Sequence, residues 1–116
     1  MGEHYKAFIS YRHVERDRRW ARWLLEALET YRTPRKMQRQ GVPSRVGVIF
    51  RDDDEIPASR DLSRQIEDAL KASEYLIVIC SPETPKSLWV RREIEIFKQL
   101  SREDRILALL VEGEPE

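Results

Sequence analysis

The chain has 116 residues, and its 21 Lys and Arg side chains are balanced by 21 Asp and Glu side chains. A chain of this length forms one domain around a single hydrophobic core, so we treat residues 1–116 as one domain. Because the net charge is zero, no global field attracts nucleic acid or an anionic membrane, and we expect neither as a direct partner.

Compartment signals in the sequence agree with one another. The single cysteine, Cys80, excludes an internal disulfide and a thiolate metal cluster, and this cysteine usage is typical of a reducing compartment. The N-terminal segment lacks the charged start and apolar run of a signal peptide, and no stretch approaches the roughly 20 apolar residues of a membrane span. We therefore expect a cytoplasmic protein.

Strand and helix patterns alternate along the first half of the chain. Residues 5–11 (YKAFISY) are rich in β-branched and aromatic side chains, and residues 17–31 repeat apolar side chains at helical spacing. The basic connection over residues 33–45 contains two prolines and a glycine, which predicts neither helix nor strand. Residues 46–50 (VGVIF) predict a short second strand.

The alternation continues through the second half. Its predicted elements are an acidic loop over residues 51–60, a helix over 61–72, a strand over 75–80, a loop over 81–88, a helix over 89–100 and a strand over 105–111. The uninterrupted run YLIVIC is typical of a strand buried on both faces, so we place it centrally. The order β-α-β-α-β-α-β predicts an α/β, flavodoxin-like, doubly wound parallel sheet with helices on both faces, which binds ligands outside the carboxyl ends of its strands.

One charge lies on the apolar face of the helix predicted over residues 89–100. At about 100° per residue, one arc holds Val90, Glu93, Ile94, Ile96, Phe97 and Leu100, and the opposite arc holds Arg91, Arg92, Glu95, Lys98 and Gln99. Glu93 follows the buried strand, near the edge where ligands bind, which favours a catalytic role. The alternative is a capping or helix-dipole carboxylate in a first turn, and the wheel alone does not separate the two.

The loop after the second strand, RDDDEIPASR, holds four consecutive acids at residues 52–55. It lacks the 12-residue calcium-binding pattern and a nearby histidine, so we discount a metal site. A receiver-like phosphoacceptor would need acids after the first strand, where the sequence has SYRH instead. The remaining alternative is a solvated turn, which is the usual fate of a charge run.

Other polar side chains at the predicted sheet edge have weaker patterns. Arg12 and Arg51 could each pair with a phosphate as planar donors, although surface arginines usually do not. His13 stays unassigned, because a lone loop histidine more often faces solvent. Ser81 lies outside a Gly-x-Ser-x-Gly motif and no histidine follows it, which disfavours a hydrolase triad. The sequence also lacks a glycine-rich dinucleotide motif and a P-loop.

Four segments together resemble the TIR (Toll/interleukin-1 receptor) domain family in its bacterial, NAD-cleaving branch. They are YKAFISYRH, FRDDDEIPAS, LIVICSP and SLWVRREI, and in this order they span nearly the whole chain. The family's catalytic glutamate, in the pattern Trp-x-x-x-Glu, falls on Glu93. On the same basis the substrate-binding residues are expected to be Ser10, Tyr11, Arg12, Arg51, Asp52, Glu55, Ser81 and Trp89.

The resemblance implies an NAD+ hydrolase, with NAD as its substrate and no metal or resident cofactor. A carboxylate would stabilise the positive charge that develops on the ribose as nicotinamide leaves. It further implies that a second protomer completes the pocket, so that TIR–TIR self-association activates the enzyme in bacterial immune or stress signalling. The family fold has five strands, so we expect a last strand and helices beyond residue 116. The alternative is a non-enzymatic TIR–TIR adaptor, and the presence of Glu93 favours the enzyme.

Overall fold

A four-stranded parallel sheet organises the protein in the computed structural model, which describes residues 4–51, 60–113 and 115, without the side chains of residues 60–63. The strands are β1 (Tyr5–Ser10), β2 (Ile49–Arg51), β3 (Ser73–Cys80) and β4 (Ile106–Leu110), in the spatial order β2-β1-β3-β4. The helices are α1 (Glu15–Thr30), α2 (Arg35–Gln38), α3 (Arg60–Lys71) and α4 (Leu88–Gln99). The strand with the sequence YLIVIC therefore lies between two others, as predicted.

Side chains that alternate along β1 build one core on each face of the sheet. Ala7 and Ile9 pack with Ala21 of α1 on one face, and all three are buried. Phe8 points the other way and packs with Phe97 of α4 and with side chains of α3. The helices thus cover both faces, which confirms the doubly wound arrangement.

Two segments differ from their predicted structure. The connection over residues 33–45 contains α2, a single turn in which the Gln38 N–H donates to the Pro34 carbonyl at 3.1 Å. Four residues are too few to produce a visible helical period, so the sequence pattern misses this turn. The second strand begins at Ile49, three residues later than predicted, because Gly47 has a φ of +124° and lies outside the β region.

The edges of the described sheet expose apolar side chains. Leu110 of β4 is 82% exposed and Leu107 is 49% exposed, while Val48, just before β2 at the opposite edge, is 63% exposed. Unpaired apolar strand edges are templates for association with another chain or strand. Among the described residues, no helix has both the length and the apolar character needed to cross a bilayer.

Candidate active site

Glu93 is a buried carboxylate in the second turn of α4, with only 2% of its surface exposed. The start of this helix is capped by Ser87, whose hydroxyl oxygen accepts a hydrogen bond from the Val90 N–H at 3.2 Å. The first turn of α4 contains no acidic residue. Glu93 therefore acts neither as a cap nor as a first-turn partner of the helix dipole, and the alternative interpretation of this residue is wrong.

The buried face of α4 is the one that the helical wheel predicts. Val90 and Phe97 are buried beside Glu93, and the whole opposite arc is exposed: Arg91, Arg92, Glu95, Lys98 and Gln99. A carboxylate within such a face carries a desolvation cost of several kcal/mol unless polar partners compensate it. Apolar packing alone therefore does not explain a carboxylate at position 93.

Ser10 provides a hydrogen bond to this carboxylate. It is the last residue of β1, it is fully buried, and the strand alternation that points Phe8 toward α4 points Ser10 the same way. The Ser10 hydroxyl donates to Oε1 of Glu93 at 2.6 Å. A short bond of this kind fixes the orientation of the carboxylate at the carboxyl edge of the sheet.

A row of three rings ends at Trp89, which lines a cleft with Glu93. The ring of Tyr11 is 4.8 Å from that of His13, and the His13 ring is 5.6 Å from that of Trp89, measured between centroids. Trp89 precedes Glu93 by about one helical turn. Both line a small cleft between α3 and α4, with room for about one water molecule, together with Ile66, Glu67, Arg92 and Ile96. The structure thus brings a carboxylate and a flat aromatic surface to one cleft.

The predicted arginines occupy other positions at the sheet edge. Arg12 is about one-third exposed, and its Nη1 lies 3.8 Å from Oε2 of Glu83. Glu83 also pairs with Lys86 at 3.0 Å, and Lys86 first and Arg12 second hold the pKa of Glu83 below its ordinary value. Exposed pairs of this kind are worth little, and the contact of Arg12 with a phosphate stays a prediction. Arg51 ends β2, half-buried, opposite Ile9 of β1.

The remaining predicted binding residues have separate outcomes. Ser10 contacts Glu93 and Trp89 lines the same cleft, whereas Tyr11 contacts His13 and packs in the core on the α1 face of the sheet. The binding of substrate by these three residues stays a prediction. Asp52 and Glu55 lie outside the described residues, so their placement at the pocket stays a prediction.

Ser81 belongs to a second buried polar cluster, with Asp17 and Thr84. Its hydroxyl donates to Oδ2 of Asp17 at 3.0 Å and lies 3.1 Å from Oγ1 of Thr84. The same Thr84 oxygen accepts from the Ser81 N–H at 2.8 Å and donates to the Ile79 carbonyl at 3.1 Å. Because Asp17 is in the first turn of α1, this cluster joins the start of α1 to the turn after β3. The Ser81 hydroxyl is engaged within this cluster.

Replacing Thr84 with valine is expected to lower the free energy of unfolding by about 1–3 kcal/mol. The shape of the side chain is kept, but the Ser81 N–H and the Ile79 carbonyl lose a buried partner. Urea unfolding followed by circular dichroism measures the change. The control is Thr30→Val, since the Thr30 hydroxyl donates to the Glu26 carbonyl on an exposed surface. Equal losses in the two variants would contradict a special role for the buried cluster.

Together, the fold and the site define a small parallel α/β domain with a buried carboxylate at the carboxyl edge of its sheet, one helical turn after a tryptophan. The TIR domain family model matches residues 7–116, and the chain belongs to this family. It is 34% identical over 110 residues to the NAD(+) hydrolase ApTIR of an Actinoplanes species, a match that covers 95% of this chain and 14% of that protein. The chain thus spans a small part of the curated relative.

A solved structure shows the same fold. The match is to the TIR domains in the structure of the activated Roq1 resistosome directly recognizing the pathogen effector XopQ. The TM-score is 0.58 at 19% sequence identity, and the match covers 91% of this chain and 55% of that chain. This likeness confirms the predicted α/β fold of the TIR type.

Proposed function

We propose that this domain hydrolyses NAD+ at the bond between nicotinamide and ribose, with Glu93 as the catalytic carboxylate. The observation that carries the proposal is the burial of Glu93 beyond the first turn of its helix, held by Ser10 beside the ring of Trp89. Similarity to a protein named an NAD(+) hydrolase supports the choice of substrate. NAD is consumed as the substrate, and the proposal includes no metal or resident cofactor.

The chemistry follows from a carboxylate held next to a glycosidic bond. When the bond between ribose C1 and the pyridinium nitrogen breaks, the electron pair leaves with nicotinamide, which becomes neutral. Positive charge then develops on C1 and the ring oxygen of the ribose, and the negative Glu93 stabilises it. A water oxygen bonds to C1, and its proton passes to the carboxylate and then to solvent, which yields ADP-ribose.

The biological setting is part of the same proposal. We place the domain in the cytoplasm, in bacterial immune, antiviral or stress signalling, where TIR–TIR self-association brings protomers together. A zero net charge and exposed apolar side chains at both edges of the sheet support self-association over binding to nucleic acid.

Nicotinamide release from NAD tests the proposal directly. The protein is assayed at high concentration or crowded on a surface, and nicotinamide and ADP-ribose are quantified together by chromatography. Release of both products supports the hydrolase. If the assembled protein releases no nicotinamide, the proposal is overturned. The adaptor alternative then remains, in which the domain only docks on other TIR domains.

Replacing Ser10 with alanine is expected to lower kcat by roughly 10-fold to 100-fold, because the short bond that orients Glu93 is lost. The matched control is Ser73→Ala. Ser73 is also buried, and its hydroxyl donates to the Ala69 carbonyl at 2.7 Å, at the opposite end of the sheet. Both variants lose a buried hydrogen bond, but only Ser10→Ala should lose turnover. Equal kcat values for the two variants would contradict the positioning role of Ser10.

A further inference from the structure

His13 connects the core of the domain to the ring of Trp89. It lies in the loop between β1 and α1, is half-buried, and contacts a ring on each side, with interplanar angles of 50° to Tyr11 and 48° to Trp89. Tyr11 is only 1% exposed and belongs to the core on the α1 face of the sheet. The row of rings therefore starts at a fixed side chain and ends at the indole that lines the cleft.

The orientation of Trp89 matters because of its distance from Glu93. Four residues of α-helix correspond to a rise of about 6 Å along the helix axis, and both side chains line the same cleft between α3 and α4. In NAD the nicotinamide ring is bonded directly to the ribose carbon on which Glu93 would act. A nicotinamide placed for this chemistry therefore lies within reach of the indole.

We propose that His13 is a substrate-positioning residue, whose imidazole holds the Trp89 indole in the orientation against which the nicotinamide ring of NAD lies. This inference rests on the proposed function, and it assigns the row of rings to the nicotinamide end of NAD. The contact is between ring faces and edges, worth a fraction of a kcal/mol to somewhat more per pair, so another aromatic ring at position 13 fulfils the same role. An aliphatic side chain does not.

Steady-state nicotinamide release by the assembled protein distinguishes an aromatic from an aliphatic side chain at position 13. His13→Ala is expected to raise KM for NAD by about 3-fold to 10-fold, with kcat within about twofold of the parent, and His13→Phe restores KM to within about twofold. The matched control is His4→Ala. His4 is an exposed histidine that pairs with Glu74 near the start of β1, at the other end of the strand, and its loss leaves both constants unchanged.

Binding without turnover identifies the end of NAD that is involved. In the Glu93→Gln protein, the indole N–H resonance of Trp89 is followed by NMR during titration. NAD and nicotinamide mononucleotide should both shift it, ADP-ribose should not, and adding His13→Ala should raise the half-saturating NAD concentration by the same factor as KM.

Several results would overturn this inference. They are a KM for His13→Ala equal to that of His4→Ala, a His13→Phe protein as impaired as His13→Ala, a loss confined to kcat, or a Trp89 resonance that ADP-ribose shifts as NAD does. An assembled parent that releases no nicotinamide overturns the proposed function and this inference with it. An active parent with unchanged KM in His13→Ala overturns the inference alone.

Discussion

Glu93→Gln is expected to lower nicotinamide release from NAD by about 100-fold to 1,000-fold, which is the usual cost of removing one preorganised group that stabilises transition-state charge. The amide has nearly the shape of the carboxylate, and its oxygen can still accept the hydrogen bond from Ser10. Only the negative charge is lost. Initial rates at saturating and subsaturating NAD measure the change, and the loss should appear mainly in kcat.

The same substitution should leave the domain folded. Glu93 is 2% exposed, and a neutral amide costs less to bury than a carboxylate, so Glu93→Gln should be at least as stable as the parent in urea unfolding. The control is Glu95→Gln, the same change on the exposed face of the same helix, which should retain activity within about twofold. If Glu93→Gln keeps more than about a tenth of the parent rate, Glu93 is not the catalytic carboxylate.

Much of the fold could be predicted because its signals are periodic or contiguous. The run YLIVIC predicted a strand buried between neighbours, and β3 lies between β1 and β4. Glu93 could be singled out because one charge interrupted an otherwise apolar arc, and that arc is the buried face of α4. Hydrophobic burial acts on every residue of an element, so it leaves a pattern in the sequence.

The pairings within the site could not be predicted in the same way. The Ser10–Glu93 bond joins residues 83 positions apart, and the Ser81–Asp17 bond joins residues 64 positions apart. Small hydroxyl side chains have no hydrophobic period, and their partners depend on how strands and helices pack. His13 lies in a loop, where no period exists at all, so only its ring contacts with Tyr11 and Trp89 reveal it. The roles of Asp52 and Glu55 stay predictions.

Dilution is expected to lower the activity per molecule, because the resemblance to NAD-cleaving TIR domains implies that a second protomer completes the pocket. The cleft beside Glu93 is small and lies at the surface of a single chain, and an oxocarbenium-like centre needs shielding from bulk water. Exposed Leu107, Leu110 and Val48 at the sheet edges provide apolar surface for association. For a weak dimer, mass action predicts that specific activity falls about tenfold for each tenfold dilution below its dissociation constant.

The folded but inactive Glu93→Gln protein tests this dependence without changing any other surface. Adding it in excess to a fixed, dilute amount of the parent should raise nicotinamide release, because each parent protomer gains a partner whose own carboxylate is not required. An equal concentration of serum albumin controls for non-specific crowding. If the rate of nicotinamide release is the same at every concentration of the Glu93→Gln protein, a single parent chain forms the complete site. A rise with Glu93→Gln and none with albumin would instead mean that assembly controls access to a carboxylate already oriented in each protomer by Ser10.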